Sequence, residues 1–319
     1  MRNLALIVAG VLLAAVAAGY VLVRRGAVDP APPRPSAPTT LSGGLWHVDE
    51  RTGRVAVERG GGRTVTGVAC ERFAAAAGTA VCLRVENHGM PRLDAVILDR
   101  GLREVRRVPL AGPPSRARVS PGGRMAAWTV FVSGHDYASI DFSTRTSILD
   151  TRTGAYLPDL EKLNYPRELR ARDLNVWGVT FAADENRFYA TAATGGRTHL
   201  IEGDVARRTA RPLRSNVECP SLSPDGRRIA FKKATGHVDR PWRVHVLDLR
   251  TMRETPLAEP ESVDDQLAWL DDRTVAYERA GSVWSLPADG SGTPRRLIGG
   301  ASSPQVLPPA EAGSPAGGG

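Results

Sequence analysis

Histidine and carboxylate side chains are the residues of this 319-residue sequence from which a metal or catalytic site would be built. The six histidines are spread singly along the chain. His47 and Asp49 stand two residues apart, as do His237 and Asp239, so each pair could supply two metal ligands. Strand alternation explains the first pair and a loop explains the second. The sequence therefore predicts no metal site and no cofactor.

Catalytic sequence motifs are absent as well. The chain has no HExxH, CxxC or GxSxG motif, and its glycine-rich stretches at 60–62 and 195–196 lack the lysine of a phosphate-binding loop. The carboxylate pairs Asp264-Asp265 and Asp271-Asp272 are typical of solvated strand ends and turns. We therefore expect a protein that is not an enzyme.

Charge does not indicate a nucleic-acid partner. The chain has 42 Lys+Arg and 34 Asp+Glu, a formal net charge of +8. Only Lys162, Lys232 and Lys233 are lysines, and the arginines are scattered, in runs no longer than pairs. A nucleic-acid-binding protein would concentrate them on one face or in one segment.

The elements that must position any site are strands. Short apolar and β-branched runs, such as Val65–Ala69, Arg228–Lys232 and Arg243–Leu247, are separated by Gly, Asp and Pro. Sustained helical periodicity is missing, and 159–173 is the best candidate for a short helix. This pattern predicts an all-β protein.

Two turn signatures recur along the chain. In the first, a strand ends in Asp before a turn rich in Thr, Gly or Arg, at Asp49, Asp99, Asp150, Asp204, Asp248 and Asp289. The second is Ser223-Pro-Asp-Gly226, with weaker copies at 120–123, 183–186 and 270–273. Asp and Gly close tight hairpins, and repeats of 41 to 54 residues with four strands each indicate a β-propeller.

The stretch PSLSPDGRRIAFKK, followed by WRVHVLDLRTMRETPL, resembles the repeat of the TolB-like β-propellers, which are related to the WD-repeat propellers. The resemblance covers about Gly43 to Leu307 and implies a monomeric protein-interaction scaffold. Counting the turns predicts six blades, with five or seven as alternatives. The hairpin Leu45–Glu58, interpreted as the outer pair c–d, and Ser302–Leu307, as an inner strand a, would close the sixth blade with as few as three strands.

Strand alternation separates the connections between the two faces of the propeller. The a–b and c–d turns lie on one face, and the longer b–c and d–a segments at 87–94, 133–143, 158–175 and 235–241 lie on the other. Long loops on a rigid scaffold are the usual place for binding. The predicted binding residues are His135, Asp136, Tyr137, Tyr165, Arg167, His237, Asp239, Arg240 and Trp242. Loops that merely vary in length are the alternative interpretation.

The cysteines indicate the compartment. Cys70 and Cys82 flank the first a–b turn, on strands that should be antiparallel neighbours, so we predict a disulfide between them. Such a bond requires an oxidising compartment. Cys219 is expected to be an unpaired buried thiol. Two free thiols at Cys70 and Cys82 are the alternative.

The first 20-residue apolar segment, Leu4–Val23, is long enough to span a bilayer. We expect a signal anchor at 1–25, a Pro-rich linker at 26–42, the propeller at 43–308 and a disordered tail at 309–319. Cleavage after Ala15-Val16-Ala17, giving a secreted protein, is the alternative. Positive-inside counting of Arg24 and Arg25 favours a cytoplasmic propeller, whereas the cysteines favour an extracytoplasmic one.

The sequence therefore predicts a membrane-anchored, extracytoplasmic propeller that acts as a non-catalytic scaffold in the bacterial cell envelope. Its partner would be an envelope protein or a cell-surface ligand. The alternative is a self-contained lyase or hydrolase acting on carbohydrate or peptide. That alternative requires His135, His237 and Asp239 to converge.

Overall fold

The structure is a computed structural model that describes residues 39–88, 90–133 and 142–309. The expected anchor at 1–25, the linker up to residue 38 and the tail beyond residue 309 lie outside the described residues. Within the described ranges, no helix is long and apolar enough to cross a bilayer.

The described residues form antiparallel strands connected mostly by hairpins. In chain order these are β1 (Leu45–Asp49), β2 (Arg54–Arg59), β3 (Gly62–Ala69), β4 (Arg72–Ala76), β5 (Thr79–His88), β6 (Met90–Leu98), β7 (Glu104–Pro109), β8 (Pro114–Val119), β9 (Met125–Ser133), β10 (Phe142–Asp150), β11 (Tyr156–Leu157), β12 (Asn175–Phe181), β13 (Arg187–Thr194), β14 (Arg197–Asp204), β15 (Thr209–Ser215), β16 (Glu218–Leu222), β17 (Arg228–Ala234), β18 (Trp242–Asp248), β19 (Glu254–Pro256), β20 (Ala268–Asp271), β21 (Thr274–Arg279), β22 (Ser282–Pro287), β23 (Arg295–Gly299) and β24 (Ala301–Val306). Two short 3₁₀ helices, Leu160–Lys162 and Arg167–Leu169, replace the expected helix at 159–173.

These strands form six four-stranded sheets, the blades of a six-bladed β-propeller. Blades 1 to 5 are β4–β7, β8–β11, β12–β15, β16–β19 and β20–β23, and blade 6 is β24-β1-β2-β3. The first strands β4, β8, β12, β16, β20 and β24 contact one another in a closed ring. They therefore line the axis, and the prediction of six blades is confirmed.

Blade 6 differs from the expectation in two respects. It has four strands, and β1 and β2 are strands b and c beside β24, which is the inner strand a as expected. The hairpin Leu45–Glu58 is therefore b–c, and its interpretation as c–d was wrong. The Asp49 turn consequently lies with the b–c and d–a connections, where Glu50 N donates to Gly300 O at 3.0 Å.

We call the edge with the a–b and c–d turns the turn face and the opposite edge the loop face. One expected loop, 87–94, is largely paired strand, because β5 and β6 remain in register from Leu98 opposite Ala80 to Met90 opposite His88. The segments 158–175 and 235–241 do connect strands at the loop face.

The recurrent Asp turns are closed by the aspartate itself. Asp150 Oδ1 accepts the backbone N–H groups of Arg152 and Thr153 at 2.9 and 3.1 Å, and its other oxygen accepts from Arg124 at 2.6 Å. Gly154 completes the turn with φ +79°. Between the blades, apolar residues of adjacent sheets pack in clusters, such as Trp46, Phe73 and Leu98 between blades 6 and 1.

Candidate functional site

The structure disperses the predicted binding residues. His135, Asp136 and Tyr137 lie outside the described residues. Tyr165 is buried, and its hydroxyl donates to Leu160 O at 2.8 Å. It therefore stabilises the d–a connection between blades 2 and 3. Arg167 is exposed in the second 3₁₀ helix.

The connection between β17 and β18 carries a second group of these residues. His237, Asp239 and Arg240 are exposed at its tip around Val238, which is 94% exposed. The Thr235 hydroxyl donates to Arg240 O at 2.5 Å and closes the loop. Exposure of this kind suits contact with a partner rather than a cluster of catalytic groups.

Trp242 is the predicted residue that the structure places in a cavity. A pocket of about 370 Å³ opens at the loop face beside the axis. Its principal lining residues are Arg116, Trp177, Glu218, Lys232, Trp242 and Asp264. Ser115, Phe131, Thr144 and Cys219 complete the wall. We call this cavity the mouth pocket.

A buried lysine is the centre of the charge arrangement in the mouth pocket. The Lys232 ammonium lies 4.2 Å from the centre of the Trp242 ring and is paired with Asp264. It is 3.9 Å from Glu218, and its side chain is only 6% exposed. Lys232 thus fixes the tryptophan by a cation–π contact and the two acids by charge.

Glu218 is almost as buried as Lys232, with 8% of its side chain exposed. Burial raises the pKa of Glu218 to about 7, with Asp264 acting in the same direction and Lys232 opposing. Glu218 therefore exists in both protonation states near neutral pH, and the net charge of the pocket changes there.

Arginines continue from the pocket into the axis. Arg116 lines both the mouth pocket and an axial cavity of about 30 Å³ shared with Arg72, Arg118 and Gln266. Arg118 donates to Leu267 O at 3.1 Å, and Gln266 donates to Val179 O and Pro220 O, both at 3.0 Å. These hydrogen bonds connect different blades, so polar side chains hold the inner strands together around the axis.

Two larger hollows lie between blades on the turn face. One of about 890 Å³ separates blades 3 and 4, and one of about 520 Å³ separates blades 2 and 3. Two carboxylates that line the larger hollow are hydrogen-bonded within their own turns. Asp225 accepts from Arg227 N at 3.0 Å, and Asp248 accepts from Thr251 N at 2.7 Å. We therefore regard the mouth pocket as the candidate site.

Sequence reasoning did not identify Arg116, Trp177, Glu218 and Lys232 as site residues. Each lies in a strand of blades 2 to 4, and only closure of the ring brings them together. A charged residue on an inner strand of an apolar repeat was the signal available, as at Arg116 and Glu218. Asp264, interpreted as a solvated edge, is exposed but pairs with Lys232.

The candidate metal pair near the N-terminal strand has another role. His47 is fully buried, and its Nε2 lies 3.2 Å from Glu58, while Asp49 pairs with Arg63 at 2.9 Å. The first contact joins the neighbouring strands β1 and β2 of blade 6, and the second joins β1 to β3. Among the described residues, no three His, Cys, Asp or Glu side chains converge as metal ligands.

The disulfide between Cys70 and Cys82 is present, with Cα atoms 5.4 Å apart, and the prediction is confirmed. Cys70 is not on the inner strand; it precedes β4, while Cys82 lies in β5 opposite Phe73. Cys70 N also donates to Gly53 O of blade 6 at 3.0 Å. The disulfide thus joins blade 1 to the connection from blade 6. Cys219 is a free buried thiol, as expected.

Comparisons with solved structures identify the fold. TolB from Acinetobacter baumannii is similar with a TM-score of 0.60 and 16% identity over 83% of this chain and 67% of that one. The tricorn protease (TM-score 0.51, 10% identity) covers 81% of this chain, and a puromycin-hydrolysing peptidase from Mycobacterium tuberculosis (0.52, 16%) covers 89%. This chain spans 30% and 47% of those two proteins, respectively.

No protein-family model and no curated protein matches the sequence. At these identities the similarities show the fold alone. The protein is a six-bladed β-propeller with a fold similar to that of TolB, closed by strands from both ends of the described chain.

Proposed function

We propose that this chain is a membrane-anchored, extracytoplasmic propeller that binds an envelope protein or cell-surface ligand through its loop face, without catalysis. The mouth pocket is the observation that carries this proposal. It combines tryptophan side chains with buried charged groups in a concave site, the composition of a recognition site on a rigid scaffold.

The Cys70–Cys82 disulfide supports the extracytoplasmic part of the proposal. Stable disulfides form in oxidising compartments and are rare in the cytoplasm. The bond joins two blades within a buried apolar cluster, so it belongs to the folded core of the propeller.

The attachment point of the chain is consistent with a free loop face. Leu45 begins strand b of blade 6 at the turn face, where Gly43 N donates to Pro308 O at 2.6 Å. The described chain thus enters the propeller at the turn face, opposite the mouth pocket and the Val238 loop.

The alternative proposal is a lyase or hydrolase. One observation favours it: Glu218, with a pKa of about 7, could act as a general acid or base in the pocket. His237 and Asp239, which that alternative needed to converge with His135, are exposed on one loop instead. Recovery of a partner complex, together with no measurable turnover by the purified protein, would favour the scaffold.

The loop-face part can be tested by site-specific photo-crosslinking in cells. A photoreactive residue in place of Val238 should capture a discrete partner. The same residue in place of Val105, 61% exposed on the rim strand β7, is the matched control. Capture from position 105 and not from 238 would contradict binding through the loop face.

The compartment can be tested by counting thiols. Protein denatured without reduction and treated with a maleimide should take up one label, at Cys219, and three after reduction. Uptake of three labels without reduction, from protein isolated under thiol-trapping conditions, would contradict an oxidising compartment.

A further inference from the structure

We propose that the mouth pocket binds a carboxylate group, which Arg116 holds, while an aromatic or apolar part of the same ligand lies against Trp177 and Trp242. This inference rests on the proposed binding function of the same site and names its ligand chemistry.

The first argument is an unused hydrogen-bond donor. Arg116 Nη1 donates to Ser115 O at 3.0 Å, and Nη2 is 3.5 Å from Asp264. Its Nε is buried and has no acceptor within the described ranges; the same is true of Arg118 Nε one cavity deeper. Buried N–H groups are normally bonded, so an acceptor from a ligand or water is expected at each.

The second argument is the sign of the local charge. Four cationic side chains line the mouth pocket and axial cavity, namely Arg72, Arg116, Arg118 and Lys232. They meet two aspartates, Asp264 and Asp265, and Glu218. The excess of positive charge near the axis favours an anion, while the acids in the wall disfavour a ligand with several negative charges.

The third argument is the size and composition of the wall. A volume of about 370 Å³ is at the small end of ligand pockets. The cation–π contact with Lys232 holds the Trp242 ring, and the Trp242 backbone N–H donates to Ser262 Oγ at 3.1 Å and fixes the main chain that carries the ring. A single aromatic or aliphatic group with an adjacent carboxylate fits this combination.

Two sources share that chemistry: the carboxyl-terminal residue of a peptide and a free small organic acid. A phosphate would present two negative charges to Asp264 and Glu218, so we favour the carboxylate. The peptide and the free acid are distinguished by the length of the probe.

Binding can be measured by isothermal titration calorimetry with the whole protein and defined probes. We expect N-acetyl-phenylalanine to bind and N-acetyl-phenylalaninamide to bind at least about tenfold more weakly, because the amide lacks the charge that Arg116 pairs with. A pentapeptide ending in a free phenylalanine carboxylate should bind more tightly than N-acetyl-phenylalanine if the natural ligand is a peptide terminus. The two affinities should be equal if the natural ligand is a small acid.

Arg116→Gln should reduce the affinity for N-acetyl-phenylalanine at least about tenfold and remove the preference for acid over amide. Arg273→Gln, at an exposed arginine of the a–b turn of blade 5 on the opposite face, is the control. Should Arg116→Gln fail to fold, Trp242→Leu provides the second variant: it should weaken acid and amide equally and keep the preference.

Equal affinities for acid and amide, absence of binding at millimolar concentration, or an unchanged preference in Arg116→Gln would each overturn the inference. These outcomes are separable from failure of the proposed function. If crosslinking from position 238 succeeds while no carboxylate probe binds, the proposed scaffold function is supported. Only the inference that the mouth pocket binds a carboxylate is then overturned.

Discussion

Glu218 and Lys232 illustrate how burial next to an open pocket determines the behaviour of a single residue. Both side chains are less than a tenth exposed, yet the 3.9 Å separation of their charged atoms is too long for a hydrogen bond. Lys232 instead pairs with Asp264 and Trp242. Glu218 therefore loses hydration without a matching partner, and its protonated form is favoured.

The stability of the protein should consequently depend on pH through Glu218. Its pKa is raised from 4.5 to about 7 on folding, so its stabilising protonation is complete below pH 4.5 and is lost as the pH rises through 7. Relative to wild type, Glu218→Gln should gain up to about 3 kcal/mol in unfolding free energy between pH 4.5 and 7.5.

Urea denaturation of both proteins across this pH range measures the difference. Burial also raises the pKa of Glu161 to about 7, but Glu161 is present in both proteins and cancels in the comparison. Glu71→Gln, at an exposed position, is the control for removal of one carboxylate. A difference for Glu218→Gln that stays constant across this pH range would show that folding does not raise the pKa of Glu218.

The recurrent turns act at the scale of the element, and they are not equivalent. Asp150 is 7% exposed and accepts two backbone N–H groups and Arg124. Asp289 is exposed, and it accepts the backbone N–H and the hydroxyl of Ser291 at 2.9 and 2.6 Å. The same sequence signature therefore contributes different amounts of stability in blades 2 and 5.

Asp150→Ala should lower the unfolding free energy by about 2 kcal/mol or more, because it removes charge-assisted bonds from a buried position. Asp289→Ala, the matched change in an exposed turn, should lower the unfolding free energy by clearly less, because solvent screens the charge there. Chemical denaturation of the two variants at neutral pH makes the comparison. Equal losses of unfolding free energy in the two variants would mean that the stabilisation by the aspartate does not depend on its burial.

The turns also explain how much of the fold the sequence predicts. Asp150, Asp204 and Asp248 end c strands, and Asp99 and Asp289 follow c strands within two residues, so their spacing leads to six blades. Asp49 has the same local chemistry, with Thr52 N donating to its carboxylate at 3.0 Å, but it joins b to c. A turn records local hydrogen bonding, whereas the position of its hairpin in a blade depends on β24, which lies some 250 residues away.

The mouth pocket was less predictable for a related reason. Arg116, Lys232 and Asp264 come from three blades, and their contact depends on the ring of inner strands rather than on any local pattern. Trp242 was identified because it follows a long loop. Loop length alone also selected Tyr165, which is buried.

At the scale of the whole molecule, the disulfide lies at the junction between blade 6 and blade 1. The double variant Cys70→Ser/Cys82→Ser should lose about 3 kcal/mol of unfolding free energy, the value expected for a closed loop of this length. Reduction with dithiothreitol should lower wild-type stability to that of the variant and leave the variant unchanged. A further loss on reduction of the variant would contradict this origin.

The strand β24 closes the ring of blades, because it joins the end of the described chain to its beginning. It pairs with β1 from Leu45 opposite Val306 to Asp49 opposite Ala301, and it contacts the inner strands of blades 1 and 5.

A chain ending at Gly300 would leave β1 as an unpaired inner edge and interrupt the ring. We expect it to lose cooperative thermal unfolding, whereas a chain ending at Pro309 should unfold like wild type. Adding a peptide of residues 301–309 should partly restore the transition. A cooperative transition at the wild-type temperature in the Gly300-terminated chain would show that five blades and a three-stranded sixth suffice.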